Sequence, residues 1–314
     1  MITIPDEFWK EECRNDFYIS EVMKKSWAVQ LTLLDEILEI ADKHNINIWL
    51  DYGSLLGAVR HHGYIPWDDD VDTAVMRHDY VPLINYLKEE LPSYRDISSF
   101  YTSFSCNNPT TVVSSRSNVD IGNSDEETRI TKLQYGFPCS SWVDIFPMDY
   151  VPDNPDMWNI TRNLYTAAFE LAIDMDRLKA KGEFDGALRE LEKLSKIKIK
   201  RDENIRNSLW KLADRIASMT TKKESHYVGW YGGALHSGGT HKRPVSSLSE
   251  IIMVDFEFMK VPIPKDYDTI LRIEFGDNYM TPINVHDGHD YPHFKNQERA
   301  IIACSRIGQL GDIF

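Results

Sequence analysis

The chain has 314 residues, 42% hydrophobic and 27% charged, an ordinary composition for a globular protein with enough length to bury a substantial core. Its formal net charge of −14 argues against a general nucleic-acid binder, which would show a basic face. Cys13, Cys106, Cys139 and Cys304 are scattered, with no C-x-x-C pair or Cys/His cluster, so neither a structural zinc site nor a disulfide framework is expected.

The opening stretch MITIPDEFWKEEC is acidic and unlike a secretory signal, and no run approaches the ~20 apolar residues of a membrane span. A cytoplasmic protein is expected, with any membrane contact peripheral and on the inner face. Ile19, Met23, Trp27, Leu31, Leu34 and Leu38 recur at three- and four-residue steps, which predicts an amphipathic helix over 16–43. Ile46–Leu50 then reads as a short buried strand. Ser54–His62 reads as one or two helical turns, with Ser54 as N-cap and Gly63 as the stop.

Asp68, Asp69, Asp70 and Asp72 follow, four carboxylates within five residues, leading into apolar Val71, Ala74 and Val75. On a strand, Asp70 and Asp72 point the same way and repel. A divalent cation would turn that repulsion into coordination, and Mg²⁺ takes such hard oxygen ligands. The plainer alternative is a solvated acidic turn.

His78–Glu90 predicts a second helix, stopped by Pro92. Residues 94–121 read as two strands joined at Asn107-Asn108-Pro109, and Ser124–Thr131 as a polar loop. Ser141–Tyr150 reads as a strand with Asp144 among Trp142, Val143, Ile145 and Phe146. A carboxylate in that setting needs a partner. Either Arg60 or Arg116 supplies a salt bridge, or Asp144 joins the acidic cluster as metal ligand or general base. Asp149, after Pro147, is expected to begin a turn.

Residues 155–220 suggest three helices, and within them KLSKIKIKR (193–201) is basic in an acidic protein. It reads as a solvated face or connector, or as a contact for an anionic glycolipid, polymer or membrane surface. HYVGWYGGALHSGGTHKR (226–243) suits a mobile loop near a ligand, without Walker-type glycine spacing and with histidines too irregular for zinc. Ile251–Val261 predicts a strand or hairpin and Tyr267–Gly276 a helix. His286, His289 and His293 near the end read either as a substrate contact or as a polar tail.

Gly53-Ser54 followed by Asp70-Val71-Asp72 resembles the nucleotidyltransferase superfamily pattern, and the full string LDYGSLLGAVRHHGYIPWDDDVD resembles the LicD family, whose relatives include the fukutin-type enzymes. WVDIFPMD (142–149) and the segment from Val261 to Met280 carry the same resemblance, which is thin between 150 and 250. It implies an α/β (α+β) fold: a nucleotidyltransferase-like mixed sheet flanked by helices, with an appended helical lobe. Residues 1–153 would form the core with its N-terminal helix, 154–225 the lobe, and 226–314 a glycine/aromatic loop and a segment returning to the core.

The resemblance also implies a reaction. A substituted phosphate, phosphocholine first among them, passes from a CDP-linked alcohol donor to a sugar hydroxyl of a lipid-linked glycan or teichoic-acid acceptor, releasing CMP. Asp70, Asp72 and Asp144 would hold Mg²⁺ or Mn²⁺, with Asp144 also a candidate base. Gly53, Ser54 and Arg60 would meet phosphates, and Asp68 and Asp69 the metal shell or the acceptor. Trp67, Trp142, Tyr52, Trp230 and Tyr231 are candidates for an aromatic cage around a quaternary ammonium. Two other classes fit parts of the pattern: transfer of NMP from an NTP to a small molecule, and non-catalytic glycan binding.

Overall fold

Asn15 and Asp16 both take positive φ, 49° and 61°, a backbone these two residue types tolerate better than most. They turn a short hairpin in which β1 (Glu12–Arg14) pairs antiparallel with β2 (Phe17–Ile19). The helix expected from residue 16 therefore starts later, as α1 (Glu21–Lys43), with the Ser20 hydroxyl accepting the Met23 N–H as N-cap. The computed structural model describes residues 2–103, 106, 108–116, 125–236, 240–284 and 291–310.

After α1 come β3 (Ile48–Leu50), α2 (Tyr52–Arg60), β4 (Asp72–Met76) and α3 (Arg77–Glu90). Next are β5 (Asp96–Ser98), β6 (Thr111–Ser114), α4 (Asp125–Leu133) and the long β7 (Trp142–Val151). α4 replaces the polar loop expected there. Four helices follow where three were expected: α5 (Pro155–Ile173), α6 (Met175–Lys181), α7 (Phe184–Ser195) and α8 (Ile205–Ala217). Gly182 takes φ 72° as the left-handed cap that ends α6 before α7. The chain continues through β8 (Tyr227–Gly229), α9 (Tyr231–His236), β9 (Arg243–Pro244), the hairpin β10 (Ile251–Phe256)–β11 (Met259–Pro264), α10 (Tyr267–Phe275) and α11 (Lys295–Leu310).

The main sheet is mixed and runs β3-β4-β7-β6-β5, with β8 and β9 added along the distal half of β7. β4 and β7 are parallel, and the other pairs are antiparallel. A parallel pair needs a crossover, and α3 with the β5–β6 excursion supplies it. Buried Trp27, Leu31 and Leu34 of α1, Leu83 and Leu87 of α3, and Val143 and Ile145 of β7 belong to one apolar core. A second core forms in the helical region from Trp158, Phe169, Leu188, Leu209 and Trp210.

The two regions are riveted by charge. Arg77 holds Asp149 through two 2.6 Å bonds and reaches Asp214 of α8 with a third. Asp149 is buried in mid-strand, not at a turn as expected. Burial outweighs the neighbouring Arg77 and pushes its carboxyl up to about 6.

Candidate active site

α2 begins in an unusual way. Asp51, not Ser54, is the N-cap: its Oδ1 accepts the Tyr52 N–H at 2.8 Å. Tyr52 itself sits at φ 45°, a left-handed conformation that costs a tyrosine about 1–3 kcal/mol. Its ring is held by Phe146 and Trp230 and lies under the Arg243 guanidinium, 5.1 Å away. Arg243 in turn is buried between Asp51 and Glu274. The glycine-rich segment is thus anchored at its end by a buried ion triad, where a mobile loop was expected. Residues 237–239 lie outside the described residues.

This start leaves the N–H groups of Gly53 and Ser54 in the first turn of a helix, where unpaired backbone donors favour an anion. Gly53 is required for a further reason. A Cβ there would stand 2.7 Å from Asp68 Oδ2, so any side chain would push that carboxylate away. Ser54 is buried and its Oγ accepts the Asp72 N–H at 2.9 Å, tying the helix to the first residue of β4.

β4 is shorter than the sequence suggests, since only Asp72 of the four acids lies within it. Asp68 to Asp70 form the approach to the strand, and this resolves how so many carboxylates fit. Asp69 turns into the protein, fully buried, and its Oδ2 accepts the His293 N–H at 2.6 Å. Asp68 and Asp70 stay with Asp72, and the carboxyl of Asp68 lies within hydrogen-bonding reach of that of Asp70. On the other side, parallel pairing sets Asp72 directly beside Asp144 of β7, so the two side chains leave the same face. The register is pinned by Asp144 N–H to Val71 O at 2.9 Å and Thr73 Oγ1 to Asp144 O at 2.8 Å.

The four carboxyls act on one another. Burial first, then Asp70, Asp144 and Asp68, drive the Asp72 carboxyl well above the usual range. Asp68 is driven the same way by burial and Asp70. Burial and Asp70 push Asp144 up to about 7. The salt bridge from Arg60 or Arg116 is not made. Asp144 has neutral donors instead, the Thr110 hydroxyl at 3.2 Å and the Trp142 indole N–H. A cluster of acids stabilised by hydroxyl and indole donors retains a deficit of positive charge.

Among the described residues, no three His, Cys, Asp or Glu side chains form a ready-made metal cage. Mg²⁺ does not demand one, because it is bound by one or two carboxylates with waters and substrate phosphates completing its shell. Asp68, Asp70, Asp72 and Asp144 offer hard oxygen donors of the kind that such a cation takes.

Beside Asp144 lies an open cleft of about 840 Å³. Trp142 and Thr110 form its near wall, Ser98 and Ser114 belong to β5 and β6, and Asn296 and Gln297 come from α11. Gln297 accepts the Ser140 N–H at 2.8 Å, fixing the C-terminal helix to the β7 side of the cleft.

Not every expected residue reaches this place. Arg60 sits at the opposite end of α2, roughly 10 Å of helix from Gly53, where it donates to the Tyr279 carbonyl at 2.7 Å and to His61. Tyr231 is buried in the helical core against Trp158 and Tyr165. Trp67 is half-buried against Phe17 and His61. Of the proposed aromatic wall, Trp142 lines the cleft. His286 and His289 lie outside the described residues, and His293 is a buried strut against Asp69 and Trp142. Thr110, Asp51 and Arg243 were missed. Arg243 carried one usable signal, a cation beside a proline, but its partner Asp51 is 192 residues away.

Residues 45–175 match the family described as LicD/FKTN/FKRP, nucleotidyltransferase domain. The chain carries a LicD-family domain. The matched residues span Asp51, Gly53, the acidic approach, β4, Asp144 and the whole of α5. An uncharacterized protein of Rickettsia prowazekii (strain Madrid E) is 40% identical over 65 residues, 21% of this chain and 23% of the relative. Lipopolysaccharide cholinephosphotransferase LicD of Haemophilus influenzae is 28% identical over 144 residues, 42% of this chain and 46% of that protein. The chain thus aligns with less than half the length of each of these two relatives. Among the described residues, no helix is long and apolar enough to cross a membrane.

Proposed function

We propose that this LicD-family chain is a phosphotransferase that moves a substituted phosphate from a CDP-activated alcohol to a hydroxyl of a surface-glycan acceptor, with phosphocholine the first payload to test. The observation that carries the reading is the parallel register that sets Asp72 beside Asp144, with Asp68 and Asp70 alongside and an open cleft adjoining. The likeness to a lipopolysaccharide cholinephosphotransferase supports the choice of payload and acceptor class.

Phosphoryl transfer asks a protein mainly for alignment and charge neutralisation. Asp70 and Asp72, with Asp144 adjacent, would hold Mg²⁺ or Mn²⁺, which when bound neutralises phosphate charge during transfer. The N–H groups of Gly53 and Ser54 orient a phosphate oxygen from the helix side. Asp144 lines the cleft, and burial with Asp70 pushes its carboxyl up to about 7, so it would take the proton of an acceptor hydroxyl bound there. Trp142 offers an aromatic edge or face to a cationic head group. Asp69 is a positioning residue that holds the C-terminal segment against the site.

The test is product analysis. With Mg²⁺, CDP-choline and a lipopolysaccharide or teichoic-acid precursor, CMP should form in step with acceptor modification. CDP-ribitol and CDP-glycerol in parallel identify the payload. Pyrophosphate from CTP or ATP, with no CMP from any CDP-alcohol, would move the chain to the nucleotidyl-transfer class.

A further inference from the structure

The helical lobe carries a second groove, of about 520 Å³, far in character from the acidic site. One wall is a stripe of α8, Ser208, Lys211, Leu212 and Arg215, spaced three and four residues apart so that they share a helix face, continued by the C-cap Ser218. The other wall is the connector after α7, where the chain runs without regular structure and Ile197 to Lys200 alternate apolar and basic. Ile199 is buried, whereas the side chains of Lys198 and Lys200 are 91% and 84% exposed.

The connector has a built reason to hold this shape. Glu192 is buried at the end of α7 and accepts the Ile199 N–H at 2.8 Å and the Arg201 guanidinium through both oxygens. Arg201 is thereby consumed as a strut. Lys198 lies 3.7 Å from the same carboxylate, at the margin of an ion pair and open to water. Lys200 has Asp202 at 2.8 Å, a surface pair of little worth that an outside anion can displace. Asp214, the acid bordering the groove, is engaged by Arg77 and Tyr101. Leu194, in the last turn of α7, and Met219, two residues past the end of α8, are both more than 60% exposed.

Four basic side chains with exposed apolar neighbours, in a chain of net charge −14, form a surface complementary to negative charge. We infer that this groove docks the chain on an anionic phospholipid surface. A broad basic face with a few apolar residues suits an interface better than a single small anion, since the cations are spread along a helix stripe and a strand-like segment. The placement also serves the active site. Ser98 borders the catalytic cleft and Tyr101, three residues on, borders the basic groove. Docking there would hold the cleft close to lipid, which is where a lipid-linked acceptor would be met. That last link rests on the proposed reaction, whereas the docking itself does not.

The test uses the full chain without nucleotide, so it can fail independently of the transferase assay. Sedimentation with phosphatidylcholine vesicles containing phosphatidylglycerol should recover the protein at low salt, and pure phosphatidylcholine should not. High salt should release it. Lys198→Glu, Lys200→Glu, Lys211→Glu and Arg215→Glu together should lower recovery by more than about tenfold. Lys260→Glu with Lys265→Glu, on the exposed β10–β11 region, should leave it unchanged. If the fourfold variant does not fold, Lys198→Gln with Lys200→Gln on the exposed connector should give a smaller loss in the same direction. Equal recovery on both vesicle types, none on either, or full binding by the reversed variants would overturn the inference. So would complete competition by millimolar inorganic phosphate at constant ionic strength, which would indicate a site for a soluble anion.

Discussion

Asp72→Asn is expected to reduce turnover on the order of 10³-fold while leaving the fold as stable as before, or slightly more so. The two halves of this expectation have one cause. Asp72 is raised by burial and by four neighbouring carboxylates, Asp70, Asp144, Asp68 and Asp51, so in the metal-free chain its charge works against the folded state. An amide of the same shape removes the repulsion and keeps the backbone bonds to Ser54 and Asp51. It also removes the oxygen charge that would hold a cation.

A pH series gives a companion readout. A carboxyl raised in the folded state binds its proton more tightly there than in the unfolded chain. The stability it contributes is therefore present in full below the unfolded value of 3.8 and lost as pH rises through about 7, the folded value for Asp144. Metal-free wild type should lose stability across that window in urea titrations, and Asp72→Asn should lose less. Mg²⁺ should restore the wild type at neutral pH and leave the variant almost unmoved. A variant that unfolds at neutral pH, or that keeps its turnover, would contradict this role for Asp72.

Arg243→Ala is expected to be the most damaging substitution outside the carboxylate cluster, at about 3–5 kcal/mol of stability. Arg243 is 1% exposed, with Asp51 at 2.6 Å and Glu274 at 2.8 Å. Removing it strands two buried carboxylates, and that desolvation cost far exceeds the value of the bridge itself. Activity should fall with stability, because Asp51 caps the helix that presents Gly53 and because the ring of Tyr52 loses its cover. Arg243→Lys keeps the charge but not the two-sided reach of guanidinium, and should recover only part of the loss. Urea midpoints at constant slope measure both. A loss under about 1 kcal/mol for Arg243→Ala would show the triad to be solvated in solution.

What the sequence made legible was local or periodic. The α1 stripe, the β10–β11 hairpin and α10 follow from spacing and turn residues within short windows. The pairing of the acidic segment with Asp144 came from family resemblance, and the parallel register of β4 on β7 gives that pairing its geometry. What stayed hidden depended on distant partners. Ser54 looks like an N-cap because the residue type fits, yet Asp51 takes the cap since Arg243 fixes its other oxygen from 192 residues away. Arg60 looks like a phosphate clamp until the Tyr279 carbonyl is seen to occupy it. The four aspartates looked too many for one strand, and they are: three of them precede it, which lets Asp69 turn inward while Asp68 and Asp70 remain. In α4 a polar sequence without clear period gave no cue to a helix.

In the proposed reaction Asp70, Asp72 and Asp144 form one cation-dependent phosphate site. Crystals grown with Mn²⁺ and CDP-choline, measured at the manganese absorption edge, test it most directly. An anomalous peak is expected within roughly 2.0–2.3 Å of oxygens from Asp70 and Asp72 and of a donor phosphate, with Asp144 facing the same ion or its water shell. A peak elsewhere with the donor bound, or a donor phosphate bound apart from these three carboxylates, would contradict it.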